Sequence, residues 1–148
     1  MNLEEILKMW EKDSAIDEMN LDDATRDSAK MHAKYLELHS ITKLQLKRLE
    51  AQFQQLLRDK YLWFNGKMSK DQIEQKGWAY DPFDGCSKPM KGEMSYFYDS
   101  DDDIQTAKAK IDYNKVMLET LDEIINTLRW RHQQISNMIK WRQFTSGV

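Results

Sequence analysis

From residue 101 to residue 147 the chain reads DDDIQTAKAKIDYNKVMLETLDEIINTLRWRHQQISNMIKWRQFTSG. Steps of three and four residues alternate through Ile104, Ala107, Ile111, Asn114, Leu118, Leu121, Ile125, Leu128, His132, Ile135, Ile139 and Arg142, and nine of these twelve positions are apolar. Only a helix gathers such positions into one stripe, so the pattern predicts a helix over about 101–145 that packs lengthwise against others. Ser100 followed by Asp101, Asp102 and Asp103 supplies carboxylates where a helix N-terminus favours them, and Gly147 supplies a stop.

Working outward, residues 21–64 contain no Gly or Pro and are rich in Leu, Lys, Gln, Glu and Ala. They predict a second helix of about 44 residues, roughly 66 Å long. Asn20 with Asp23 suits its start, and Asn65-Gly66 its end. Its apolar stripe (Met31, Tyr35, Leu38, Ile41, Leu44, Leu49, Phe53, Leu56) is interrupted by Gln45 and Gln52. Leu3, Ile6, Leu7 and Trp10 mark a short amphipathic helix ahead of it. Between the long helices, Ser69 with Gln72 suits a cap for a short helix to about Lys76. Gly77, Pro82, Gly85 and Pro89 interrupt the chain after it, and Tyr96-Phe97-Tyr98 suits a brief extended piece.

The expected fold is all-α: two long antiparallel helices (about 21–64 and 101–145), a short N-terminal helix and an irregular 65–100 connector. It reads as a single helical domain over 1–148. Within it, 1–66 carries a basic-aromatic motif, 67–100 is the connector and 101–148 is a heptad helix for oligomerisation. A two-helix hairpin has no closed core, so apolar surface would stay wet in a monomer. Self-association into a ring-like oligomer is the expected remedy, through Ile104, Ile111, Leu118, Leu121, Ile125, Leu128, Ile135 and Ile139.

Charged residues make up 32% of the chain and its net charge is −3, so bulk charge does not advertise a polyanion ligand. The distribution is more informative. Residues 1–27 hold nine acids against three bases, whereas Lys43, Lys47, Arg48, Arg58, Lys60 and Lys67 face only Glu50 and Asp59 within 43–67. Arg129, Arg131, Lys140 and Arg142 form a second basic cluster without acids. Single strands are held by cations along the phosphates and by rings on which bases stack. Lys47, Arg48, Arg58, Lys60 and Lys67 suit the first role, Tyr61 and Trp63 the second, with Arg129 and Arg131 as further candidates. Core rings and a solvated cationic face account for the same spacing.

Other chemistry finds little support. Asp99 and Asp101 to Asp103 lack the glycine-containing loop of a calcium site, and His32, His39 and His132 have no ligand spacing, so no metal is expected. Phosphate-loop, zinc-protease and nucleophile-elbow signatures are missing, so neither catalysis nor a cofactor is expected. The lone Cys86 excludes an internal disulfide, and no apolar run approaches the roughly 20 residues that span a bilayer. A soluble, unsecreted protein without membrane contact is the expectation.

Three stretches, in order, resemble the UvsY family of recombination mediators from T-even-type tailed phages. The first runs from His39-Ser40-Ile41 through Leu49-Glu50-Ala51-Gln52 to Arg58-Asp59-Lys60-Tyr61 and Asn65-Gly66-Lys67. The second is Tyr96-Phe97-Tyr98-Asp99-Ser100-Asp101 with Lys108-Ala109-Lys110-Ile111-Asp112-Tyr113. The third is Leu121-Asp122-Glu123-Ile124-Ile125-Asn126 with the run from Ile135 to Phe144. Residues 67–95 fit least, and Trp130-Arg131-His132 departs from the family's Arg-Gly-aromatic pattern. The resemblance implies a hexamer or heptamer that binds single-stranded DNA with little sequence preference, Arg58 and Lys60 contributing. It further implies contacts with a RecA-like phage recombinase and the phage single-strand-binding protein, in the cytoplasm of an infected bacterial host. From the residues alone, a helical scaffold or assembly protein that binds only protein is the alternative.

Overall fold

The computed structural model describes residues 1–147. Among them the regular structure is helical: α1 (Leu3–Ser14), α2 (Leu21–Phe64), α3 (Lys70–Lys76), α4 (Met94–Ser100, entered through a 3-10 turn at Lys91–Glu93) and α5 (Asp102–Thr145). The predicted long helix pair is present, with both helices bounded within a residue of expectation.

Local chemistry sets the ends. Asn2 and Glu5 form a reciprocal capping box on α1, Glu5 N–H donating to Asn2 Oδ1 at 2.8 Å. At the end of α2, Gly66 takes φ +67° and Lys67 N–H reaches back to the Leu62 carbonyl at 2.8 Å. That left-handed cap is why the helix stops at Asn65-Gly66. Ser69 and Gln72 cap α3 as the spacing predicts.

Tyr96-Phe97-Tyr98 is helical rather than extended. The rings satisfy β-propensity, but propensity here means fitting a half-buried surface, and a helical turn does that better. It lets Met94, Phe97 and Tyr98 share one face against the ring of Phe64 and its neighbours.

The chain forms two compact units, one from Met1–Leu44 with the chain from Asn114 on, the other from Gln45–Tyr113. In the first unit α2 and α5 pair antiparallel: Leu21 and Ala24 pack with Ile135, while His39 Nε2 lies 2.7 Å from Asp122 Oδ1. α1 closes this pair. Its Ile6 joins Tyr35, Met117, Leu121, Ile124, Ile125 and Leu128 in one core. The buried Tyr35 hydroxyl donates to Asp13 Oδ2 at 2.9 Å, and Trp10 meets the Tyr35 ring edge-on at 5.5 Å.

Packing of α1 widens the buried face of α5. Beside the predicted stripe, Met117, Ile124 and Arg131 form a second buried row at heptad spacing, whereas His132, Ile139 and Arg142 are exposed. Arg131 turns inward because its guanidinium donates to the Ser14 and Ala15 carbonyls, at 3.2 and 3.3 Å, where α1 ends. A helix with two neighbours buries a wider face than one stripe.

In the second unit the connector folds over the last turns of α2. Trp63 and Phe64 are covered by Ile73, Phe83 and Met94, with Trp78, Phe97 and Tyr98 alongside. Phe64 stacks on Phe83 at 5.7 Å and meets Tyr98 edge-on at 5.0 Å. The Asp81 carboxylate accepts the N–H groups of Phe83 (2.9 Å) and Gly85 (2.6 Å), which fixes the turn and holds its carboxyl below the usual range.

These packings take up most of the residues predicted for the self-association seam. Ile104, Ile111, Leu121, Ile125, Leu128 and Ile135 are buried within the chain itself, Leu118 is half-buried and Ile139 is 38% exposed. The expectation of a hairpin without a core fails because α1 in one unit and the connector in the other supply the missing layer. The apolar groups left on the surface include, besides Ile139, Trp130, Trp141 and Phe144.

Candidate nucleic-acid interface

Along the part of α2 in the second unit, steps of four and three carry Lys47, Ala51, Gln54, Arg58 and Tyr61 along one side of the helix. All five are exposed. Lys47 has no ion-pair partner among the described residues, and neither does its neighbour Arg48. Arg58 has only a long contact to Asp59 (3.5 Å), its side chain 71% exposed. Past the Gly66 cap, Lys67 Nζ donates to the Tyr61 hydroxyl at 3.4 Å and lies 5.3 Å from that ring. Cations and a half-exposed ring therefore follow one another along a single solvent-facing row, with the spacing a flexible polyanion could track.

Lys60 is not on that row. Residues two apart on a helix point to different sides, so Arg58 and Lys60 cannot share one face. Lys60 is 2% exposed; its ammonium lies 3.1 Å from Asp101 Oδ1 and 2.8 Å from Asp103 Oδ2. Two indoles complete the cage, Trp63 at 4.5 Å and Trp78 at 3.9 Å from the ammonium. Lys60 beside Asp103 holds that carboxyl below the usual range, against the opposing effect of burial. Asp101 also accepts the Ile104 N–H through its other oxygen at 3.1 Å, so one carboxylate starts α5 and receives Lys60.

Trp63 likewise belongs to the core, 9% exposed with its indole N–H donated to the Ala79 carbonyl at 2.8 Å. In the first unit Arg131 is buried against the end of α1, while Arg129 is exposed, with a 3.5 Å contact to Asn126. Lys60, Trp63 and Arg131 are thus taken up by the chain's own packing, whereas Lys47, Arg48, Arg58, Tyr61, Lys67 and Arg129 face solvent.

Beyond Lys67 the sequence gives the connector no role, and there the structure adds Lys70, Tyr80 and Lys88. Lys70 Nζ lies 5.6 Å from the Tyr80 ring, the Tyr80 hydroxyl is bonded to Glu74, and Lys88 borders a cavity that includes Tyr80. No local motif announces them, because loop folding rather than periodicity brings them together. Among the described residues no group of side chains could hold a metal ion, and no helix is long and apolar enough to cross a membrane.

A family model described as the recombination, repair and ssDNA binding protein UvsY matches residues 9–148. The recombination protein uvsY of enterobacteria phage T4 is 22% identical over 147 residues, 99% of each chain. Crystal structures of the bacteriophage T4 recombination mediator protein UvsY share the fold. One has a TM-score of 0.82 at 22% identity, covering 99% of this chain and 98% of that one. A second lattice gives 0.79 at 21% identity, covering 98% and 99%. The family match spans nearly the whole chain, and the chain belongs to the UvsY family of recombination, repair and single-stranded-DNA-binding proteins.

Proposed function

We propose that this chain is a recombination mediator that binds single-stranded DNA along the exposed row of α2 and promotes loading of a RecA-like phage recombinase in place of the single-strand-binding protein. The setting is homologous recombination and recombination-dependent replication and repair, in the cytoplasm of the infected host. The observation that carries the reading is the row Lys47, Arg58, Tyr61 and Lys67, cationic and aromatic and nearly free of carboxylate partners. Arg48 and Arg129 are further exposed cations available to phosphates.

A few phosphate contacts give weak, salt-sensitive binding. A hexamer or heptamer would repeat the row on one body, raising the effective concentration of each site once the strand is held at another. The exposed Trp130, Trp141 and Phe144, the last two stacked at 5.8 Å, supply apolar surface for such assembly. A strand drawn over several copies is extended and partly stripped of competing protein, the state on which a recombinase filament would nucleate. Nucleotide binding and hydrolysis are left to that recombinase.

Fluorescence anisotropy with labelled oligo-dT across a salt series tests the reading. Arg58→Ala with Lys47→Ala should weaken binding and reduce the salt slope by up to about two, while the oligomer stays intact. No affinity for oligo-dT at low salt, with assembly intact, would favour a scaffold that binds only protein. The exposed aromatic end of α5 suits that reading too.

A further inference from the structure

The second unit contains a cavity of about 340 Å³ bordered by Phe64, Gly66, Met68, Tyr80, Phe83 and Lys88. Its size falls within the roughly 300–1,000 Å³ of small-molecule sites. Its walls are mostly aromatic and apolar, and Lys88 is the one charged residue lining it. By contrast, Asp17, Asp23 and Asp27 line the cavity beside Arg131 and present carboxylates to an incoming polyanion, while the one beside Trp78 sets Asp103 among Lys76 and Lys110 and lies away from the end of the α2 row.

We propose that this cavity receives one unstacked nucleobase of the bound single strand, with Tyr80 as the stacking ring and Lys88 on the adjoining phosphate. The inference rests on the strand-binding reading above and gives the connector its part in it. Three observations support it.

The first is continuity. Asn65 and Gly66 lie both on the cavity wall and directly beyond Tyr61 on the α2 row, and Asn65 Nδ2 donates to the Tyr61 carbonyl at 2.8 Å. A strand following Arg58, Tyr61 and Lys67 therefore arrives at the cavity mouth. A side chain added at Gly66 would meet nothing within 4 Å, so the approach there is open.

The second is preorganisation. Tyr80 is 55% exposed, yet its hydroxyl is held by Glu74 and Lys70 lies against its ring. A ring fixed in this way loses little freedom when a base stacks on it. The third is charge. Lys88 is exposed and has no carboxylate partner among the described residues, and Pro89 restricts the backbone beside it. Bases carry no net charge and prefer flat apolar partners, while their phosphates need cations, and the cavity offers each in its place.

The test compares oligo-dT with an abasic oligonucleotide of the same length, using the full-length protein. The wild type should prefer oligo-dT by about five- to tenfold, in keeping with the strength of base–aromatic stacking. Tyr80→Ala should abolish most of that preference without changing abasic binding, and Tyr80→Phe, which keeps the ring and loses the bond to Glu74, should restore it in part. Lys88→Ala should weaken both ligands alike. Permanganate oxidation of thymine on the wild-type complex adds a readout that needs no variant, since a base held in the cavity is protected. Equal affinity for the two oligonucleotides, or uniform permanganate reactivity matching free DNA, overturns the cavity assignment and leaves strand binding standing. Binding of neither oligonucleotide overturns the strand-binding reading itself.

Discussion

In the first unit α5 offers α2 and α1 a core of Ile, Leu and Met around a single buried tyrosine; in the second, Trp, Phe and Tyr rings dominate the core, and a buried ammonium lies against two of the indoles. The same two helices run through both units, so the difference lies in what is added to them. A regular helix such as α1 meets regular stripes, and aliphatic side chains at heptad spacing fill the space. A short, irregular connector cannot present a stripe. Large flat rings cover more area per residue and tolerate varied angles, so few residues suffice. The aromatic unit also keeps cations at its edge, and Lys60 shows the consequence: one lysine is drawn inside while Arg58, two residues earlier, stays in water. A shared run of sequence thus carries both a structural and a surface cation.

Changes aimed at one unit at a time would break or sharpen this contrast. Leu121 is fully buried among aliphatic neighbours, and Leu121→Ala should cost about 4 kcal/mol. Urea unfolding gives the total, and amide hydrogen exchange should show the loss centred on α1 and the helix segments of the first unit. A cost below about 1 kcal/mol would mean that this core relaxes freely, unlike a close-packed one.

Lys60→Ala strands Asp101 and half-exposed Asp103 beside two indoles, and about 3 kcal/mol should be lost, centred on the second unit. Any fall in DNA affinity should then come with an unchanged salt slope in the remaining folded protein. A slope reduced as it is by Arg58→Ala would instead put Lys60 on a phosphate.

Trp141 is 66% exposed and stacked on Phe144. Trp141→Ala should leave unfolding of the chain within about 0.5 kcal/mol of wild type. It should weaken self-association by about 2 kcal/mol, the scale of an aromatic hot spot, as read by sedimentation velocity. Unchanged assembly would move the interface elsewhere.

The smallest effect is with pH. Burial works to raise the Asp13 carboxyl, but hydrogen bonds from Lys34 and Tyr35 outweigh it; for Asp103 the bond from Lys60 leads. Both sit below the ordinary 3.8 in the folded chain. A depressed carboxyl contributes stability in full above its unfolded value and loses it as pH falls through its folded value. Stability should therefore hold from neutral pH to about 3.8 and decline below it in both units. Asp103→Asn should lessen that decline in the second unit alone, where the depressed Asp81 carboxyl still titrates, as followed by urea unfolding at stepped pH.

Helix extent was legible because it depends on local matters: the absence of Gly and Pro from 21–64, the aspartates at 101–103 and the glycine at 66 act within a turn or two of where they stand. The exposed row on α2 was partly legible too. Its cations and Tyr61 stand out in sequence, yet as a linear run the motif groups Lys60 and Trp63 with Arg58 although helical geometry separates their sides. Nothing local marks Arg131 as an inward residue. Its place depends on the Ser14 and Ala15 carbonyls, more than a hundred positions earlier.

Read alone, the sequence determined that the chain would be helical, where the two long helices begin and end, and which cations lie near rings. Periodicity, capping and charge placement are short-range effects, and they survive without knowledge of neighbours. Tertiary structure decided which stripe of α5 is spent inside the chain, which cation is caged rather than free, and that Tyr80 and Lys88 line one cavity. Those outcomes depend on contacts between residues far apart in the chain, where burial and pairing outweigh local preference.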